Sequence, residues 1–152
     1  MKKVFLLMIG AACAISFIVP NVWALPQFKK EFDTKWVDKP DTDADFKKLA
    51  KKQSCNICHV KGKPKDNHNE FGVALEELIE GSAKERLQDA TDKGKEAKEA
   101  EIEKLVKEFD EALKKVEGMK TADGSTYGQR LANHQLPVDP PADDGGDEPE
   151  DE

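Results

Sequence analysis

Residues 55–59 read Cys55-Asn56-Ile57-Cys58-His59, which puts two thiols and an imidazole within one turn of backbone. On an α-helix, positions i, i+3 and i+4 share a face. The spacing therefore predicts Cys55, Cys58 and His59 side by side. The two thiols are then set for thioether bonds to the vinyl groups of a c-type haem, and the imidazole is set to ligate its iron. Five residues fix a cofactor, its orientation and its proximal ligand, and no other segment says as much.

Three other uses of the pentad compete with this one. Zinc takes about four ligands, and beyond the first 24 residues the chain offers Cys55, Cys58, His59, His68 and His134. The histidine spacings fit no zinc-finger pattern. A thioredoxin-like Cys-x-x-Cys sits in a βαβ setting, and no convincing strand precedes this one. A lone Cys55–Cys58 disulfide closes too small a loop to add much stability.

Residues 1–24 have the layout of a secretory signal: Lys2 and Lys3, an almost wholly apolar run over 4–19, then Val22-Trp23-Ala24. The run is short for a membrane span and is cut by Pro20, so cleavage after Ala24 is expected. Gly10-Ala11-Ala12 before Cys13 lacks the large aliphatic residue of a lipidation site. Cleavage removes Cys13 and leaves Cys55 and Cys58 alone, which rules out a disulfide framework. Haem attachment of this kind takes place outside the bacterial cytoplasmic membrane, so motif and export agree on a soluble, periplasmic product.

The formal charge of −7 becomes −9 once Lys2 and Lys3 are gone, and eight acids with no base fill residues 139–152. The body, 25–136, is then near −1 and reads as one small domain with a modest core. A haem filling part of that core suits a chain that is 36% charged. Residues 137–152, rich in Pro, Gly, Asp and Glu, are expected to be a disordered acidic tail.

The periodicity predicts an all-α fold. Phe28, Phe32, Trp36 and Val37 mark a short helix that ends before Lys39-Pro40. Asp43 or Asp45 caps a second helix, with Phe46, Leu49 and Ala50 on one face, running into the pentad. A loop over 61–69 precedes a helix striped by Ala74, Leu75, Leu78 and Ile79 and closed by Gly81. Ser82-Ala83-Lys84-Glu85 is a capping-box pattern. The polar stretch 88–101, with Gly94 inside, projects into solvent or kinks. Ile102, Leu105, Val106, Phe109, Ala112, Leu113 and Val116 then define a long amphipathic helix closed by Gly118. A turn at 121–124 leads to a last short helix that Thr126 can cap.

A small helical domain with Cys55-x-x-Cys58-His59 near its start resembles a monohaem c-type cytochrome of the class I cytochrome c family, over roughly residues 45–134. The resemblance implies a small helical domain around a covalent haem. Cys55 and Cys58 would be the attachment points, His59 the proximal iron ligand, and Pro64 the loop proline whose carbonyl bonds the proximal imidazole. It also implies a distal methionine. With Met1 and Met8 in the signal, Met119 is the candidate, 60 residues past His59. His134 is its rival, and His68 is placed on the proximal side. The polar 88–101 segment and the long charged helix depart from the minimal family fold.

The function these features predict is electron transfer by a monomer carrying one haem c. Seven lysines and no acid occupy 47–65 (Lys47, Lys48, Lys51, Lys52, Lys61, Lys63, Lys65), a one-sided field that steers an acidic redox partner. The alternative is a five-coordinate haem protein that binds nitric oxide, carbon monoxide or peroxide. A third possibility is an interaction module built on the long charged helix, with Cys55 and Cys58 incidental. No nucleophile arrangement or phosphate loop suggests an enzyme, and the acidic balance argues against nucleic acid.

Overall fold

The computed structural model describes residues 25–140; the signal segment and tail residues 141–152 lie outside the described residues. The described chain is all-α, with only two isolated β-bridges, His59 with His68 and Lys120 with Thr126.

Helix α1 (Pro26–Phe32) starts on a proline, whose missing N–H costs nothing at a helix start. It runs on into a π-helical turn, Asp33–Val37, closed by the Asp38 N–H on the Asp33 carbonyl at 2.8 Å. That wider turn explains why Phe32 and Val37, five residues apart, are both buried. Trp36 tilts against Phe32 with ring centres 5.0 Å apart, and Lys35 Nζ lies 5.1 Å from its ring.

Helix α2 (Ala44–Gln53) is capped by Asp43, which accepts from the Phe46 N–H at 2.9 Å, and it buries Phe46 and Ala50. Helix α3 (Glu70–Glu76), capped by Asn69, buries Phe71, Gly72, Ala74 and Leu75. It stops short of the apolar stripe. Leu78 and Ile79 instead donate i→i−3 bonds to Leu75 and Glu76 in tighter turns that lead to Gly81.

The polar 88–101 stretch resolves into a helical hairpin. Helix α4 (Ala83–Asp92) ends, Gly94 takes φ +111°, and α5 (Lys95–Val116) returns alongside. A side chain at that φ would be strained, so glycine sets the reversal. Arg86 holds the hairpin closed: Nε bonds Glu101 at 2.7 Å, Nη1 and Nη2 fork onto Glu108 at 2.7 and 2.8 Å, and Nη1 also reaches the Glu80 carbonyl. Ser82 caps α4 through the Glu85 N–H at 3.3 Å. The reciprocal capping box lies instead at α6 (Tyr127–Ala132), between Thr126 and Gln129.

Leu105, Phe109, Ala112, Leu113 and Val116 of α5 are buried, and α5 packs on α1 and α3 as well as α4. Phe28 stacks on Phe109 with ring centres 4.1 Å apart, Phe32 meets Phe71 edge-on, and Phe71 meets Tyr127. These rings join α1, α3, α5 and α6 in one core. After α6 the chain stays anchored: Leu136 and Pro137 are buried. Arg130, 8% exposed, donates to the Leu136 carbonyl (2.8 Å), to Asp123 (2.7 Å) and to Asp139.

Candidate functional site

The pentad does not continue α2. Ser54 takes φ 48° and ψ −120°, ending the helix, and a 3-10 turn, Ser54–Ile57, follows. One carbonyl closes it: Cys55 O accepts from the Cys58 N–H at 3.2 Å and the His59 N–H at 3.1 Å. Cys58 and His59 follow that 3-10 turn and are tied back to it by this shared carbonyl. The pentad therefore begins a new turn after a break, where the spacing had predicted a continuing α-helix. Cys58 packs against the core, whereas His59 lines a surface cleft of about 210 Å³ with Ile57, Val60, Leu136 and Val138, and neither thiol is part of that lining.

Both thiols are unpaired. Burial pushes Cys58 up to about 12, helped by neighbouring Cys55 and opposed by Lys29, so it stays a thiol at neutral pH. His59 is held below the ordinary histidine value, first by burial and then by His68 and Lys65. The Lys65 backbone opposes this weakly, without reaching hydrogen-bonding geometry with Nδ1. That nitrogen is buried and has no partner. Pro64, the expected carbonyl for the ring, spends its oxygen on the backbone and side-chain N–H groups of Asn67 at 2.9 and 3.2 Å.

Of the candidate second ligands, His68 is the one brought to His59, with ring centres 4.8 Å apart and its Nδ1 2.9 Å from Glu76 Oε2. Met119 is half-buried at the α5–α6 junction, its N–H on Val116 and its carbonyl accepting from Tyr127. His134 is exposed at φ 56°, its ring 5.8 Å from Phe46. Neither lines the His59 cleft. Among the described residues no three His, Cys, Asp or Glu side chains converge on one metal point. No helix among them is long and apolar enough to cross a membrane.

Two residues outside the pentad, neither of them announced by the motif, shape this turn. Asn69 bonds its far end, and Gly72 of α3 presses against it: a Cβ on Gly72 would stand 2.1 Å from the Cys58 carbonyl oxygen and 3.0 Å from His68 Cβ. The signal for Asn69 was its place as an N-cap residue just ahead of Phe71. On the flank, Lys48, Lys51, Lys52 and Lys63 are exposed, Lys47 donates to the Lys39 carbonyl and Lys65 reaches Asn56.

The donor chemistry suits a c-type haem: two free thiols and an imidazole with a buried nitrogen that nothing among the described residues satisfies. The cleft is smaller than the roughly 300–1,000 Å³ of sites that enclose drug-sized ligands. No family model, curated protein or solved structure matches the chain.

Proposed function

We propose that this chain is an exported, periplasmic electron carrier holding one haem c through Cys55 and Cys58, with His59 as an axial ligand. The observation that supports this most is the closed turn carrying two unpaired thiols next to a histidine whose Nδ1 is buried without a partner. Bound there, the haem supplies a one-electron couple at its iron. The chain's own residues supply attachment, axial ligation and, through Lys48, Lys51, Lys52 and Lys63, a basic flank that speeds encounter with an acidic redox partner.

A five-coordinate, ligand-binding haem protein is the second reading. It draws support from the placement of Met119 and His134 away from the His59 cleft. Expression of the full chain in a bacterium with c-type maturation machinery separates the two. A haem stain that survives denaturation, with a low-spin ferric spectrum, is the expected result. A high-spin spectrum that shifts on adding carbon monoxide to the reduced protein transfers the assignment to the second reading. Protein that loses all haem on denaturation refutes both.

A further inference from the structure

The pentad turn ends by leaving three carbonyls, Asn56, Ile57 and Cys58, pointing past its last residue, where a helix has no internal donors left. All three are taken by one residue from another element. Asn69 Nδ2 donates to the Asn56 carbonyl at 3.2 Å and the Ile57 carbonyl at 3.0 Å. The Asn69 N–H donates to the Cys58 carbonyl at 3.0 Å. Its Oδ1 meanwhile accepts from the Gly72 N–H at 3.0 Å and caps α3. This network fixes the orientation of the amide, since a flip would set oxygen against two carbonyls and NH₂ against an N–H. Gly72 lets α3 come close enough for all of it.

We infer that Asn69 is a positioning residue for haem attachment, holding the backbone of the pentad turn that presents Cys55 and Cys58 for two thioether bonds; this rests on the haem reading above. In each attachment a thiol S–H adds across a vinyl C=C. The S–C bond forms, the double bond becomes single, the proton goes to the terminal carbon, and no net electron is gained or lost. With the turn loose at its end, the second thiol is no longer presented in register with the first.

Asn69→Asp separates this role from helix capping. A carboxylate still accepts from the Gly72 N–H but has nothing to donate to the Asn56 and Ile57 carbonyls. In the haem-free chain, amide exchange at Cys58 and His59 should rise roughly 10- to 100-fold, the scale of two lost hydrogen bonds, while Leu113 in α5 keeps its protection. In chain matured by the host, the denatured pyridine haemochrome and the intact mass should show a growing single-thioether fraction. Should Asn69→Asp fail to fold, Asn69→Ser, which can still cap but is too short for both carbonyls, carries the same expectations. Unchanged exchange at Cys58 and His59, with wild-type double attachment, overturns the inference. If wild-type chain takes up no covalent haem, the haem reading falls, and with it the inferred role in attachment.

Discussion

Replacing Gly72 with alanine tests how the site is built. The new Cβ would sit 2.1 Å from the Cys58 carbonyl oxygen and 3.0 Å from its carbon. Both are backbone atoms of the pentad turn, so no side chain can swing aside and α3 must retreat. Overpacking of this sort costs about 1–3 kcal/mol. The retreat also strains the three bonds from Asn69 to the turn, each worth about 1 kcal/mol. Alanine's better helix propensity returns about 1 kcal/mol. The net loss is roughly 3–5 kcal/mol, a large share of the ~5–15 kcal/mol that holds a typical domain together. Urea unfolding of the haem-free domain, followed by far-ultraviolet circular dichroism, should show the midpoint fall by ~1 M or more. Gly118→Ala is the control. A Cβ there meets only the Lys115 carbonyl, at an ordinary 3.8 Å, and the change should stay within about 0.5 kcal/mol. A Gly72→Ala midpoint equal to or above wild type would refute the tight contact between α3 and the turn.

Cys55→Ala with Cys58→Ala should abolish haem that survives denaturation yet leave the helical circular dichroism intact, because Phe32, Phe71, Leu105 and Leu113 already close the core; a molten double mutant would show that the haem is part of that core. If Met119 is the distal ligand, Met119→Ala turns the ferric spectrum high-spin and lowers the potential; if His134→Ala does so instead, the rival is the ligand, and no change in either leaves the iron five-coordinate or ligated elsewhere. Arg130→Met removes the donors that hold Leu136 and Asp139, so limited proteolysis should cut within 136–140 faster while α5 stays resistant, and an unchanged digest would deny Arg130 its anchoring role. The folded chain holds the His59 pKa below its ordinary 6.5, so the folded state binds fewer protons than the unfolded one between those two values. Its contribution to stability is therefore full above about pH 6.5 and is lost as pH falls toward the folded value; the pH dependence of urea midpoints for haem-free wild type should flatten in His59→Phe.

The sequence determined the helices and the set of donor side chains at the pentad, because both depend on near neighbours. Asp43 ahead of Phe46, the 105–116 stripe and Thr126 ahead of Gln129 are local patterns that dictate caps and a buried face whatever surrounds them. Cys55, Cys58 and His59 were legible for the same reason. What escaped was set by contacts far apart in the chain. Asn69 reads as a loop residue until α3 is brought against the turn, and Gly72 reads as a weak helix position until the Cys58 carbonyl is seen where its side chain would be. The 88–101 stretch reads as projecting into solvent or kinking because the partners that settle it, Arg86 with Glu101 and Glu108, meet only once Gly94 has reversed the chain. His68, expected on the same side as His59, is brought against its ring by an antiparallel bridge between the two backbones, a pairing that the loop sequence does not announce. Spacing alone predicted a common α-helical face for both thiols and the imidazole. Tertiary packing made the turn 3-10 instead, with the Asn56, Ile57 and Cys58 carbonyls answered by Asn69, and so decided that Cys58 packs on the core while His59 lines the cleft.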